Sequence, residues 1–399
     1  MLNSLLNHFM VMIFFPFKYF IPKSNIIVLS SNSRYTYSDN TKYLYEYLSK
    51  KSNDKIYWVT DHPEIIKYLE SKNMRYITTK SPLFLIWILL RTRIMIDCGT
   101  SFFNPFKILD NGKTIKITTS HGNGPKATIS RFHPPNDSRI AIKQIINYHS
   151  FDYLNYPSTY SKVMVAKRNH LLPNEKIISL GYPRCDQFFD EILIKKNYKQ
   201  KLLSKSLCKS MNSDSRVILY TPTWRPYDYD FPLYKMLGFD IVGFNEFLES
   251  RGCFFFYTIH TAQLPKNELK NQSNIIYIDC NKHPFFDINQ FMMESDILFN
   301  DYSTTSTEFA ILGKPQLFYM PDYEYYKEEK GFVEEYREIL PGEEVSNFME
   351  LKDTIDNIFR DEDVYIGKYE EKKNELLEKY YDLKQNKSSK LFHSFIESL

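Results

Sequence analysis

Cysteine is scarce in this chain: five residues, Cys98, Cys185, Cys208, Cys253 and Cys280, an odd number with no C-x-x-C pair. Cys98, Cys253 and Cys280 sit in or beside apolar runs. That usage argues against a disulfide framework or a zinc site and favours a reducing compartment. Charge of one sign is also missing. The formal net charge is +3, and no Lys/Arg run with interleaved aromatics appears, so a nucleic-acid partner is not expected. A long unbroken hydrophobic run is lacking too. The apolar N-terminal stretch "LLNHFMVMIFFPFKYFIP" is interrupted by His8, Pro16 and Lys18 and is too short between breaks to span a bilayer. It has neither a cationic lead nor a small-residue cleavage site, so a signal peptide is not expected. Two readings stay open for it: a segment lying on a membrane surface, or a first core element. A second apolar stretch, "SPLFLIWILLRTR" (81–93), reads as a buried helix or a membrane-touching one.

Glycine is rationed as well, 12 among 399 residues, yet two of them follow a histidine closely in "TTSHGNGPKAT" (118–128). Either a tight turn follows a strand there, or a loop holds an imidazole against a substrate.

What is present is a globular balance, 43% hydrophobic and 25% charged, in a chain long enough for two domains. Short apolar runs at 25–31, 55–60, 93–98, 115–120 and 151–158 alternate with amphipathic segments such as 40–51 and 63–72. After a lysine- and serine-rich stretch at 193–215 a second set follows at 216–222, 253–260, 274–279, 296–300 and 315–320. Strands alternating with helices predict parallel sheets covered on both faces. The expected fold class is therefore α/β, with two doubly wound Rossmann-like domains facing a cleft. The expected division is a membrane-surface candidate at 1–22, an N-terminal domain at 23–195, a C-terminal domain at 196–385 and a C-terminal helix at 386–399.

Ligands of such sheets bind beyond the carboxyl ends of the strands. Those positions carry His121-Gly122, then Thr223-Trp224-Arg225, then His260, and then "DYSTTSTEFA" from Asp301. Ser303 to Thr307 fall where a helix begins, with Glu308 at capping-box spacing from Thr305. A helix N-terminus suits phosphate, although an ordinary capped helix has the same pattern. Each residue alone also has a plain reading: His121 as a turn residue, His260 as a core histidine, Arg225 as a solvated cation or a salt-bridge partner. "DYD" (228–230) has the form of a metal-binding D-x-D but lies in a Pro/Tyr-rich loop, and no metal cluster is expected.

Taken together the motifs are more specific. "SHGNGPK" is similar to W-H-G-T-P-L-K, "GYPRCDQFF" (181–189) to G-x-P-R-x-D, and "LYTPTWR" (219–225) to Y-x-P-T-W-R. "YTIH" (257–260) is similar to a strand ending in L-H-P, and the run 294–332 to D-x-L-I-x-D-Y-S-S-x-x-x-D-x-x-x-L-x-K-P-x-x-F-Y-x-P-D. "LPGE" (340–343) fits a following L-P-G. In this combination the chain resembles the CDP-glycerol glycerophosphotransferase family, which primes or polymerises teichoic acids and related capsule polymers. It departs from the pattern at Ser120, at the inserted Asn123-Gly124, at Thr304, at Glu308 and at Thr261.

The resemblance implies a GT-B-type architecture and transfer of glycerol phosphate, or a related polyol phosphate, from CDP-glycerol or CDP-ribitol to an acceptor hydroxyl, releasing CMP. His121 would be the general base. His260, Ser303 and Thr304 would hold the pyrophosphate, and Gly122, Asp301 and Glu308 are supporting residues of the site. Arg225 is assigned from its charge alone, either to the phosphoryl oxygens or to tying strand ends together. No cofactor is required, though loosely bound Mg²⁺ is compatible. The partners would be the donor, a lipid-linked or polymeric acceptor and a membrane surface, and the location the cytoplasmic face of the membrane, peripherally, with Lys18 and Lys23 adding attraction to anionic lipids. A glycosyltransferase with a nucleotide-sugar donor, or a non-catalytic subunit of a surface-polymer assembly, would use the same architecture.

Overall fold

The computed structural model of the chain describes residues 12–99, 112–122, 124–126, 146, 148–167, 172–225, 227–228, 230–259, 272–279, 282–382 and 387–399. Two parallel sheets organise them. The first holds β1 (Ser24–Leu29), β2 (Lys55–Val59), β3 (Tyr76–Ile77), β4 (Thr92–Asp97), β5 (Ile115–Thr118), β6 (Tyr153–Asn155) and β7 (Ile177–Ile178), in the order β3-β2-β1-β4-β5-β6-β7. The second holds β8 (Arg216–Tyr220), β9 (Cys253–Thr258), β10 (Ile275–Ile278), β11 (Ile297–Asn300), β12 (Gln316–Phe318) and β13 (Glu343–Glu344), in the order β10-β9-β8-β11-β12-β13. Both orders step outward one way from the first strand and then reverse, which is doubly wound topology. The reversal puts a crevice at the carboxyl ends of β1 and β4 in one sheet, and of β8 and β11 in the other.

Alternation within the apolar runs builds the layers. Ile27 and Leu29 enter one buried cluster and Ile26 and Val28 another. Val217 and Leu219 face one side of the second sheet, Ile218 and Tyr220 the other. A strand buried on both faces has no polar side to show, so it reads as a continuous hydrophobic run. Each fully buried Val, Leu, Ile or Phe contributes about 1.5–3 kcal/mol by transfer from water.

The last helix, Ser388–Glu397, returns to the first sheet. Phe392 and Ile396 are in the same cluster as Ile27 and Leu29, and Phe395 stands edge-on to Tyr153 at 5.0 Å. Its free N–H groups are met by Asp186, which accepts from Ser388 N and Ser389 N at 2.9 Å each. The helix thereby straps the chain's end to its beginning.

Three features differ from expectation. The two-residue strands β3, β7 and β13 were not anticipated, being too short to show a period. The expected strand 115–120 stops at Thr118 because Ser120 turns left-handed at φ 60°. The stretch 81–93 is neither wholly buried nor wholly exposed. Helix Pro82–Arg91 buries Leu85, Ile86, Ile88, Leu89 and Leu90 but exposes Leu83, Phe84 and Trp87. The N-terminal segment is divided likewise: Phe14 and Ile21 lie against the same cluster as that helix, while Met12, Ile13, Phe17, Tyr19 and Phe20 are exposed.

Candidate active site

The loop after β5 is shaped before it carries chemistry. Left-handed Ser120 is held by its hydroxyl donating to Asn155 O at 2.6 Å and its carbonyl accepting from Asn40 Nδ2 at 3.2 Å. The next residue, His121, thereby projects outward with 66% of its side chain exposed. Its Nδ1 meets the carboxylate of Asp39 in a short contact, and Asn32 Nδ2 lies 2.8 Å from the same nitrogen. No described residue takes Nε2. Beyond His121 the chain crosses to the second domain: Val333 N donates to Pro125 O at 2.7 Å, and Lys126 bridges Phe332 in antiparallel fashion.

This crossing accounts for the glycines. A Cβ added at Gly122 would stand 2.7 Å from Thr304 Oγ1, and one at Gly124 would stand 3.0 Å from Thr304 Cγ2. The loop of the first domain and the serine–threonine loop of the second touch at a distance only a bare backbone permits. The loop that carries His121 and Gly122 thus meets the loop that carries Ser303 and Thr304 at the crevice between the sheets.

The serine–threonine segment does not form the expected capping box. The short helix Thr305–Phe309 begins after Thr304, whose side chain makes no cap bond. Ser303 Oγ instead accepts from Thr305 Oγ1 at 3.0 Å, and Thr221 and Thr305 hydroxyls meet at 2.8 Å. Glu308 is turned into the protein. It receives Arg184 Nε at 3.1 Å and Asn289 Nδ2 at 2.6 Å, with a shorter contact from Arg184 Nη2. It braces the helix from below and does not cap it.

Arg225 has the tying role of the two left open for it. Its guanidinium, 1% exposed, gives Nη1 to Asp301 Oδ2 at 2.7 Å and grips Asp322 bidentately, Nε–Oδ2 at 2.7 Å and Nη2–Oδ1 at 3.0 Å. Asp301 also accepts from Thr223 N and Oγ1, at 3.0 and 2.7 Å. With its fork committed to two carboxylates, Arg225 fixes the ends of β8 and β11 and is not presented to a phosphoryl group. Burial would raise the Asp322 carboxyl, but the hydrogen bond and charge of Arg225 bring it below its ordinary value. His260 lies outside the described residues. In "DYD", Asp228 pairs with Lys235, and among the described residues no group of three or more His, Cys, Asp or Glu side chains has a metal-binding arrangement.

Two functional candidates went unseen in the sequence. Asp39, buried, is wedged between His121 and Arg184, with Arg184 Nη1 on Oδ1 at 2.5 Å. Arg184 also donates from Nη2 to the carbonyl of His121 at 2.7 Å. Burial pushes the Asp39 carboxyl up, but Arg184 and His121 outweigh it and bring it down to about 2. Arg184 lies within the "GYPRCDQFF" segment, but nothing local marks Asp39, which is 82 residues from its imidazole partner. A third cation enters at the crossing: burial lowers the Lys126 ammonium to about 8, against the pull of Asp301.

Two doubly wound domains, meeting where the loop of an exposed histidine touches a hydroxyl-rich loop, make this a protein of GT-B-like architecture. The chain belongs to the CDP-Glycerol:Poly(glycerophosphate) glycerophosphotransferase family, whose model matches residues 13–397. It is 27% identical over 385 residues to the teichoic acid glycerol-phosphate transferase of Staphylococcus aureus, covering 92% of each chain. It is also 27% identical over 355 residues to a teichoic acid poly(ribitol-phosphate) polymerase of Bacillus spizizenii, covering 86% of this chain and 52% of that one. Among solved structures, that of the wall teichoic acid polymerase TagF superposes with a TM-score of 0.74 at 22% identity, over 94% of this chain and 89% of the solved chain.

Proposed function

We propose that this chain transfers glycerol phosphate from CDP-glycerol to a hydroxyl of a cell-wall polymer. The observation that carries the reading is the close approach of Gly122, next to His121, to Thr304 across the crevice, in a chain matched by the family model over residues 13–397. The acceptor oxygen attacks the phosphorus bearing the glycerol. His121 Nε2 takes the hydroxyl proton, the bond from that phosphorus to the bridging oxygen breaks, and CMP leaves with that oxygen. An alcohol is a poor nucleophile near neutral pH, and a positioned imidazole lowers the barrier by removing its proton as the bond forms. Phosphoryl transfer otherwise asks for positioning and for stabilised charge. The Ser303 and Thr304 hydroxyls, Lys126 and His260 are assigned to the pyrophosphate. No resident cofactor enters this scheme.

The acceptor is taken to be membrane-associated, and the chain to work from the cytoplasmic face as a peripheral protein. No helix among the described residues is long and apolar enough to cross a membrane. Support for surface attachment comes from two sets of exposed apolar side chains, Met12, Ile13, Phe17 and Phe20 and then Leu83, Phe84 and Trp87, which belong to segments packed on one buried cluster. The expected contribution of lysines is corrected by the structure. Lys18 is buried beneath Phe15 and Tyr19, and Lys23 Nζ donates to Leu90 O and Thr114 Oγ1 at 3.1 and 2.6 Å. The reading of attachment by this surface therefore rests on its apolar side chains and not on Lys18 or Lys23.

The test is a donor panel. Purified protein is offered CDP-glycerol, CDP-ribitol and nucleotide sugars with a lipid-linked or polymeric acceptor, with and without Mg²⁺. Stoichiometric CMP release with mass addition of one glycerol phosphate supports the reading. Nucleoside diphosphate release from a nucleotide sugar points to glycosyl transfer, and no release from any donor to a non-catalytic subunit.

A further inference from the structure

We propose that Asp39 is the positioning residue of this site: its buried carboxylate binds Nδ1 of His121, leaving Nε2 to face the acceptor hydroxyl. The inference rests on the assignment of His121 as base. Three observations carry it. Asp39 touches Nδ1, and no described residue occupies Nε2. Asn32 Nδ2, 2.8 Å from the same nitrogen and held that way round by the Cys98 thiol on its Oδ1, is a donor that competes for Nδ1; the carboxylate of Asp39 makes the shorter, charged contact and prevails. Asp39 adopts φ 71°, a left-handed conformation rare for a residue with a side chain, at the first position of the helix Asp39–Lys51. Such a conformation persists only where its surroundings over-determine it. Here they do: Asn40 N donates to Oδ1 at 2.6 Å, and Arg184 Nη1 sits on the same oxygen.

A neutral imidazole has one N–H and one lone pair, and the partner of one nitrogen decides the role of the other. A carboxylate can only accept, so it selects the tautomer with the proton on Nδ1 and the lone pair on Nε2. The same arrangement stabilises the imidazolium formed when Nε2 takes the proton. Arg184 extends the brace into the second domain. It binds Asp39, the carbonyl of His121 and Glu308, and Glu308 lies on the short helix that follows Thr304. The orientation of the base and the position of the loop assigned to the pyrophosphate are thus fixed by one guanidinium.

The experiment uses full-length protein labelled with ¹⁵N at histidine, with the His121 ring assigned by comparison with His121→Ala. At pH 8.5 the ring is expected as the Nδ1–H tautomer, with a pyridine-like Nε2 signal. In Asp39→Asn that preference is lost, kcat falls by about 10–100-fold, and KM for the donor stays within about threefold. A wild-type ring in the Nε2–H form overturns the proposal whether or not the variant folds. So does an Asp39→Asn protein that keeps kcat within threefold. His121→Ala separates this from the reading it rests on: if that variant retains more than a third of wild-type turnover, His121 is not the base, whereas loss of turnover in His121→Ala with full turnover in Asp39→Asn removes Asp39 alone.

Discussion

Gly122→Ala isolates the contact between the two domains. Gly122 is not in the left-handed region, so alanine meets no backbone penalty there, and fewer unfolded conformations would by themselves add about 0.4–1 kcal/mol of stability. Opposing this, the new Cβ lies 2.7 Å from Thr304 Oγ1 and 3.4 Å from Thr304 Cβ. Threonine is β-branched and short, so its hydroxyl cannot swing away as the end of a lysine would. The loops must part by several tenths of an ångström, and overpacking of that kind costs about 1–3 kcal/mol. The steric term exceeds the entropic one, giving a net loss of about 0–2.5 kcal/mol by thermal or urea unfolding. Turnover is more sensitive than stability, because an ångström of misplacement at a reacting centre costs on the order of a hundredfold. A loss of about ten- to hundredfold in kcat is expected. Adding Thr304→Ala removes the atoms that clash, so the Gly122→Ala step should cost clearly less in that background, a coupling readable from a double-mutant cycle. Equal effects of Gly122→Ala with and without Thr304 would refute the contact as the reason for the glycine.

His121→Ala is expected to lower turnover by about 10²–10⁴-fold with the melting temperature unchanged, measured as CMP release. Replacing Ser303 and Thr304 together with alanine should weaken CDP binding by calorimetry about ten- to hundredfold, the equivalent of losing one charge-assisted hydrogen bond of about 1.5–3 kcal/mol; unchanged affinity would reduce the cluster to a structural turn. Asp39 is depressed from 3.8 to about 2 in the folded chain, so its stabilisation is present above about pH 4 and lost as pH falls through about 2. One pK unit is worth 1.36 kcal/mol, so about 2 kcal/mol of acid sensitivity traces to this group, and urea midpoints between pH 5 and pH 2 should fall less steeply in Asp39→Asn than in wild type. Changing Phe17, Phe20 and Trp87 together to serine should abolish sedimentation with liposomes while leaving the melting temperature within a few degrees, since all three are about half or more exposed; retained sedimentation would move attachment elsewhere.

The sheets were legible because their strands are buried on both faces. Val28, Val217 and Phe255 each have flanking apolar neighbours for the opposite layer, so the run is continuous and stands out. The rule for doubly wound sheets then pointed to the strand ends, beyond which His121, Arg225 and the Ser303-Thr304 loop lie. What was not legible lies in contacts between distant segments. Glu308 has capping-box spacing, yet Arg184, 124 residues away, takes its carboxylate. Asp39 follows Ser38 and reads as the acidic first turn of a helix, and only the packing of that helix beside the loop after β5 makes it a partner for an imidazole. The division of the segments 12–22 and 82–91 between buried and exposed rings is equally a property of tertiary packing, because the apolar content of each is high on all sides.

The two buried arginines show why residue type alone does not assign a role. Arg225 and Arg184 each hold two carboxylates, and removing either would leave buried charge without a partner, at a cost of about 3–5 kcal/mol. The difference is in what the carboxylates do next. Asp301 and Asp322, gripped by Arg225, receive backbone and tyrosine donors: Thr223 N on one, Tyr227 and Tyr302 hydroxyls on the other, at 2.8 and 3.0 Å. Their valences end in the scaffold of one domain. Asp39 and Glu308, gripped by Arg184, belong to different domains, and Asp39 passes its second oxygen to an exposed imidazole. On the assignment of His121 as base, a network that ends on its imidazole has a role beyond stability. Packed hydrophobic residues replace buried ion pairs at little or no loss of stability, but they cannot hold a histidine by one nitrogen and leave the other open.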